Sequence, residues 1–275
     1  MGALEGRVAI ITGAGRGIGR EHALLFAQEG AQVVVNDFDP EPAQEVAKEV
    51  GGIAIAGDVS SFTDAAELIQ GAIDHFGRLD VLVNNAGILR DRFIADMTEA
   101  EWDAVINVHL KGHFAPLHHA AKYWKAEAKA GNEVRGSVVN TASASGTFLP
   151  NPGQANYGAA KAGIAALSLV AAQELARYGV RVNGIAPVAR TRLTEDVPLV
   201  STLVAAPTEE GAFDTYHPSH VSPLVAYLST ADCSITGKVF AVQGGLIQEL
   251  DGWRSGTAYE HTGSWTVAEV ASRLT

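Results

Sequence analysis

Tyr157 and Lys161 are separated by Gly158, Ala159 and Ala160. On a helix, side chains four positions apart share a face and lie a turn from each other. A phenol is a poor base at neutral pH, since its reference pKa is about 10. A neighbouring ammonium favours the phenolate and draws that pKa toward the working pH. The spacing therefore predicts a tyrosine that exchanges a proton with an alcohol or a carbonyl. An ordinary Tyr/Lys pair on a helix surface has the same spacing, so the surroundings must decide between the two.

A second group sits near the N-terminus. Thr12-Gly-Ala-Gly-Arg-Gly-Ile-Gly19 comes after a β-branched run, Val8–Ile11, and opens a helical pattern. Glycines between a strand and a helix permit a tight turn and a close backbone approach to a pyrophosphate, which then lies at the positive helix end. The glycine spacing is T-G-x-x-x-G-x-G rather than G-x-G-x-x-G, and Gly13, Arg16, Gly17, Ile18 and Gly19 are the candidate cofactor contacts. Asp37 ends the next β-branched run, where a carboxylate accepts bonds from ribose hydroxyls and repels a 2′-phosphate. This favours NAD over NADP. Arg16 argues the other way, but a phosphate held against a carboxylate loses more than one exposed arginine returns. Asp58 and Val59, after the third strand, are candidates for the adenine edge; a helix-leading turn explains the aspartate equally well.

The elements that must position these groups alternate. Strand-like runs at Val8–Ile11, Val33–Val35, Ile53–Ile55, Val81–Val83, Val138–Val139, Val180–Val182 and Val239–Val242 alternate with helical patterns. Those patterns cover about 17–29, 40–49, 61–76, 99–111 (continuing past a bend toward Lys129) and 157–178. Continuous apolar strands alternating with helices indicate a parallel sheet covered on both faces. The expectation is a single-domain, doubly wound α/β fold of the Rossmann type with seven parallel strands. Residues 1–250 form the catalytic domain, the long mixed segment 192–220 serves as a substrate lid, and 251–275 is an extension. Trp253, Tyr259 and Trp265 in that extension suggest that it docks on the body or on a partner subunit.

Composition narrows the function classes. The chain has 275 residues, 47% hydrophobic, with a net charge of −11. That balance argues against a nucleic-acid binder, which needs a basic face. Cys233 is the single cysteine, so no intrachain disulfide forms, and it reads as a small core residue. The first seven residues lack a basic start followed by an apolar stretch, so a secretory signal is not expected. The longest apolar helical run, Ala159–Ala176, is interrupted by Lys161, Gln173 and Glu174, which a bilayer tolerates poorly. A cytoplasmic protein without a membrane partner is the expectation. His109, His113, His118 and His119 read as ordinary helix positions rather than metal ligands.

Taken together, these motifs resemble the short-chain dehydrogenases/reductases from Arg7 to about Gly245. The resemblance rests on the glycine turn, Asn84-Asn-Ala-Gly87, Asn107, Ser143 and Tyr157-x-x-x-Lys161. In addition, Thr236–Phe240 and Gly244-Gly245 resemble the family's last strand and the residues just after it. Several strings are more specific: Val33–Asp37, Gly87–Arg92, Val108–Gly112, Thr141–Gly146 and Gly153–Tyr157. They resemble the D-3-hydroxyacyl-CoA dehydrogenase unit of multifunctional β-oxidation enzymes and its bacterial single-domain relatives.

The resemblance implies roles. Tyr157 is the acid/base. Lys161 binds the nicotinamide ribose and lowers the tyrosine pKa. Ser143 holds the substrate oxygen, and Asn107 supports a water chain from Lys161 to solvent. Asn85, Ala86, Gly87 and Pro187 line the cofactor, and Thr191 bonds the carboxamide. The small-residue helix Ala159–Ala176 pairs across subunits in a homodimer or homotetramer; burial within one domain explains it as well.

Three departures from the family pattern matter. Ser143 lies fourteen residues before Tyr157, one more than expected, which leaves Ser145 as a substitute. Val188 comes after Pro187 where glycine is usual, and Trp124–Gly136 is long and polar, as a solvated helix end is. Arg90, Arg92, Arg190 and Arg192 are available for coenzyme A phosphates or for surface ion pairs. The expected function is NAD-dependent interconversion of a bulky secondary alcohol and a ketone, on a 3-hydroxyacyl thioester or a hydroxysteroid. An NADPH-dependent 3-ketoacyl reductase and a non-catalytic dinucleotide-binding regulator are the alternatives.

Overall fold

A computed structural model describes residues 2–192, 200–209, 211–252 and 254–274. Its sheet is built from β1 (Val8–Thr12), β2 (Gln32–Asn36), β3 (Ile53–Ala54), β4 (Val81–Asn84), β5 (Gly136–Thr141), β6 (Val180–Pro187), β7 (Val239–Gln243) and β8 (Leu246–Glu249). The spatial order is β3-β2-β1-β4-β5-β6-β7-β8. β1 therefore has β2 on one side and β4 on the other, and the direction of winding reverses between them. A crevice opens at the strand carboxyl ends at such a reversal, and ligands of open α/β sheets bind there.

Helices cover both faces. They are α1 (Gly17–Gln28), α2 (Pro40–Val50), α3 (Phe62–Phe76), α4 (Glu99–Ile106), α5 (Gly112–Lys129) and α6 (Ala155–Leu175), with shorter ones later in the chain, including Ser222–Leu228. The central strands are buried on both sides, which is why they read as unbroken apolar runs. One core layer holds Ile11, Phe26, Val35 and Leu228; the other holds Ile10, Leu82, Leu117 and Trp124. Trp124 is thus a core residue with its indole N–H bonded to the Leu79 carbonyl at 2.7 Å. The solvated helix end expected from Trp124 onward begins only after it.

Local rules set several boundaries. Ser61 caps α3 by accepting from Asp64 N–H, and Gly77, at φ 77°, ends it. Thr98 and Glu101 form a reciprocal capping box on α4. The expected bend between α4 and α5 is a π-helical turn, Asn107–Lys111.

The expected count of seven parallel strands is corrected to eight. β8 runs antiparallel to β7 after a two-residue connection, Gly244-Gly245, with Gly244 at φ 47°. All four β8 residues are exposed, so no in/out alternation marks it in the sequence.

The stretch Ala155–Tyr178 is long and apolar enough, by length and composition, to cross a bilayer. Here it packs on β5 and β6 and buries Lys161. Seven residues of the expected lid, 193–199, lie outside the described residues, as do Glu210 and Trp253. Within the described part of the lid, Val204 is buried, and Arg190 reaches the Val204 carbonyl and the Asp214 carboxylate. In the extension, Trp265 packs against His261 and Tyr259 is exposed, and residues of the helix Val267–Leu274 face solvent.

Candidate active site

The glycine turn is closed by contacts that a side chain would break. A Cβ on Gly13 would lie 2.7 Å from Ala86 Cα, and one on Gly19 would lie 2.3 Å from the Gly13 carbonyl oxygen. Asn85 fastens the turn from the other side. Its amide donates to the carbonyls of Thr12 (3.0 Å) and Gly13 (3.2 Å). The Thr12 hydroxyl accepts from the backbone N–H groups of Asn85 and Ala86. The turn, β4 and the start of α1 are therefore one rigid cradle at the switch point. Thr191 stands over it, 3.5 Å from where a Cβ on Gly17 would be. Ile18 is half-buried, packed against the adjoining core, and Pro187 ends β6 opposite Val242.

Asp37 comes just after β2 and accepts from Gly15 N–H at 3.0 Å and from Asp39 N–H at 3.2 Å. Arg16, the cation that argued for a 2′-phosphate, is paired with Asp39 at 3.2 Å. Asp58 accepts from the backbone and hydroxyl of Ser60, both at 2.8 Å, so it forms the helix-leading turn. Val59 is buried. An open, glycine-floored cradle with an acidic residue at its β2 edge fits a nicotinamide dinucleotide.

At the far end of the crevice, α6 brings Tyr157 and Lys161 under β5. Ser143 precedes a 3₁₀ turn, Ala144–Gly146, and its hydroxyl accepts from Ser145 N–H at 3.2 Å. The Ser143 hydroxyl is the side-chain group that draws the Tyr157 pKa down. Ser145 instead donates to Gln154 and accepts from Asn151, so Ser143 is the serine at the tyrosine. Gly146 allows this approach, since a Cβ there would meet Ala162 N at 2.4 Å.

The electrostatics differ from the sequence expectation. Burial pushes the Tyr157 phenol above its ordinary value; the Ser143 bond only partly opposes this, and the Asp91 carboxylate adds to it. Lys161 is 2% exposed, and burial lowers its pKa to about 7. Its Nζ donates to the Thr141 carbonyl at 2.5 Å and lies 5.6 Å from the centre of the tyrosine ring. Desolvation outweighs mutual attraction for both groups in the protein alone. The simple picture of an ammonium lowering the phenol is therefore corrected.

The Asn107 side chain is exposed, while its carbonyl accepts from Gly112 N–H within the π-turn. The side chain that reaches the site from this helix is His109, 1% exposed, with its ring edge-on to Tyr157. His109 Nε2 lies 2.7 Å from the Ile88 carbonyl and 3.1 Å from Ile88 N–H. Burial first, then the Lys161 charge, lower its pKa to about 3, so the ring is neutral. Gly87 makes room for it, because a Cβ there would sit 2.4 Å from His109 Cε1. The missed signal was periodicity: Val105, His109, His113 and Leu117 recur every four residues and are buried, and Asn107 falls between them.

The arginines are mostly committed. Arg92 pairs with Glu101 at 3.1 Å and Arg190 with Asp214, while Arg90 bonds the Leu89 carbonyl. Exposed apolar side chains crowd the mouth of the site: Phe93, Ile94, Phe148 and Leu149. A cleft of about 390 Å³ beside Gln154 and Gly158 is lined by Phe93 and Ile94. No group of three metal-ligating side chains occurs among the described residues.

Comparison with known proteins agrees with this geometry. Residues 7–198 match the family model for short chain dehydrogenases. The chain is 44% identical to hydroxyacyl-CoA dehydrogenase ChsB1 of Mycobacterium tuberculosis, over 98% of this chain and 88% of that one. It is 40% identical to peroxisomal multifunctional enzyme type 2 of Drosophila melanogaster, over 90% of this chain but 40% of that larger protein. A crystal structure of a short chain dehydrogenase from Mycobacterium avium superposes with a TM-score of 0.89 at 50% identity, covering 100% of this chain and 94% of the other. The chain belongs to the short-chain dehydrogenase family and is an oxidoreductase that acts on CH–OH groups with a nicotinamide dinucleotide.

Proposed function

We propose that this protein is an NAD-dependent dehydrogenase of bulky secondary alcohols, with 3-hydroxyacyl thioesters, or hydroxysteroids, as its substrate class. The reading rests on the Tyr157 ring standing edge-on to the neutral His109 ring, one helical turn from Lys161, with Ser143 drawing the phenol's pKa down. The dinucleotide, when bound, supplies the hydride acceptor or donor. Gly13, Gly17, Gly19 and Asn85 shape its cradle, with Ala86, Gly87, Pro187 and Thr191 along the nicotinamide end.

In alcohol oxidation Ser143 holds the substrate oxygen, and Tyr157, once its own proton has left and it stands as the phenolate, takes the substrate's proton. Lys161, poised near neutrality, would hold the ribose hydroxyls of the bound dinucleotide and would give or receive a proton as the phenol ionises. His109 keeps the loop after β4 in place. A desolvated site of this kind stabilises charge that develops on the oxygen, because its donors are already oriented.

NAD is the preferred cofactor in this reading, because Asp37 and Asp39 put two carboxylates at the β2 edge and Asp39 already occupies Arg16. The exposed apolar rim of Phe93, Ile94, Phe148 and Leu149 supports a long or bulky hydrophobic substrate. The segment 192–220 acts as the lid, and the remainder of 1–250 is the catalytic domain. Half-exposed Leu169 and Val170 on α6 support a homodimer or homotetramer, in which the 251–275 extension docks on a partner subunit. A cytoplasmic location completes the reading.

Initial rates with straight-chain 3-hydroxyacyl-CoA thioesters and with hydroxysteroids, each with NAD⁺ and NADP⁺, test it. Turnover of at least one of these classes with NAD⁺ is expected. Turnover with the phosphorylated cofactor alone supports an NADPH-dependent 3-ketoacyl reductase instead. Cofactor binding without turnover of any secondary alcohol supports a regulator.

A further inference from the structure

Asp91 is the carboxylate that acts on the Tyr157 phenol. It lies in the loop between β4 and α4, and its two oxygens are used unequally. Oδ2 accepts from Gln154 Nε2 at 2.8 Å. Oδ1 is shielded from solvent and has no hydrogen-bond partner among the described residues. A carboxylate oxygen left unpaired in a desolvated place is unfavourable, and a structure retains one for a reason.

The Gln154 amide cannot face both ways. Asp91 only accepts, so the NH₂ group must point toward it and the carbonyl must point inward. That carbonyl then accepts from the Ser145 hydroxyl at 2.9 Å and from Asn151 at 3.3 Å. Asn151 also donates to Ser145 Oγ at 2.8 Å. With its hydroxyl tied this way, Ser145 turns its backbone N–H onto Ser143 Oγ. Ser143 in turn acts on the Tyr157 phenol, lowering its pKa. Asp91 and Ser143 are thus linked through Ser145, which donates both ways, by its hydroxyl to Gln154 and by its N–H to Ser143.

The same loop is stitched to the start of α6 at further points. Arg92 N–H donates to the Gly153 carbonyl at 2.8 Å, and Asn156 Nδ2 donates to the Arg90 carbonyl at 3.0 Å. Asp91 is the one of these contacts that carries charge toward the phenol.

We propose that Asp91 is a positioning residue for the proton-transfer pair: it sets the Gln154 amide, which with Ser145 holds the turn that carries Ser143, and it keeps a carboxylate on the phenol's side of the site. This rests on the reading of Tyr157 as the acid/base. The charged or titratable groups around the phenol are Lys161 on α6, His109 on the π-turn with His113 behind it, and Asp91. Arg92 in the same loop is paired with Glu101, and Arg90 is turned to the Leu89 carbonyl. Lys161 is near its own titration and His109 is neutral, and of the set Asp91 is the one that raises the phenol's pKa. A like charge nearby disfavours a second anion and raises its pKa.

The test uses three variants of the full chain with NADH bound, each checked for folding by thermal melting. Asp91→Asn keeps the shape and an acceptor for Gln154 but removes the charge. Asp91→Ala and Gln154→Leu break the chain of bonds. The ionisation of Tyr157 is read directly as the phenolate ultraviolet difference between each protein and the same protein carrying Tyr157→Phe. In Asp91→Asn the Tyr157 midpoint is expected to fall by about half a unit. Asp91→Ala and Gln154→Leu are each expected to lower kcat about tenfold, with the cofactor KM unchanged, and the double variant to be no worse than either single one. An unmoved midpoint in Asp91→Asn, or full kcat in Asp91→Ala and Gln154→Leu, overturns the proposal. If Tyr157→Phe itself keeps full activity, the acid/base reading fails instead, and the spectroscopic midpoint still reports on Asp91.

Discussion

The imidazole of His109 stands edge-on to the ring of Tyr157, with centroids 5.1 Å apart and planes at 88°. An edge-to-face pair at this distance is a favourable aromatic contact. Nε2 of the same imidazole also lies against the Ile88 backbone, 2.7 Å from its carbonyl oxygen, and bonds one of its two backbone groups. It therefore couples the position of the Tyr157 ring to the loop after β4.

Replacing His109 by alanine should release both contacts. The expected result is a drop in kcat of about tenfold or more, because small misplacements of reacting groups cost that much. Gly87→Ala should act through the same ring from the other side, since its Cβ would fall 2.4 Å from His109 Cε1. Asn107→Ala, on the exposed face, should leave kcat within about twofold of wild type. Steady-state rates on the three variants check this ordering.

Lys161 is held for function against stability. Its folded-state pKa is about 7 and its ordinary value 10.5. Between those values the unfolded chain binds the proton more tightly, so the folded state gains stability as pH rises through the window and loses it as pH falls. Lys161→Met should therefore abolish activity yet raise the unfolding free energy near pH 6 by an amount on the order of a few kcal/mol. The gain should shrink as pH approaches 10. Urea unfolding of both proteins across this range is the measurement.

Asp37→Asn preserves the acceptor for Gly15 N–H and removes the charge at the β2 edge. Hydrogen bonds to a charged group contribute about 1.5–3 kcal/mol, and each 1.4 kcal/mol is a factor of about ten. NADH affinity should fall about tenfold or more, and NADPH affinity should rise. Fluorescence titration with each reduced cofactor reads the ratio directly.

Much of the architecture could be read from residue patterns because burial enforces them. The central strands are apolar without interruption since helices cover both faces, and the glycine turn has no side chains where Ala86 and Gly13 backbone atoms crowd in. Three features resisted. β8 is exposed along its length, so no hydrophobic period betrays it. The place of His109 beside Tyr157 shows only in the buried face of its helix, which runs through Val105, His109 and His113. The tyrosine's pKa is set by desolvation, which depends on what packs around it rather than on the lysine four residues away. Contacts such as Asp91 with Gln154, 63 positions apart in the chain, have no local trace.

The central claim is that the Tyr157 hydroxyl moves the substrate's proton. Tyr157→Phe keeps the ring against His109 and removes only that oxygen. With NADH affinity held within about twofold of wild type, kcat for secondary-alcohol oxidation is expected to fall by about 10³-fold. A variant that binds cofactor normally and retains more than about a tenth of wild-type kcat contradicts the account.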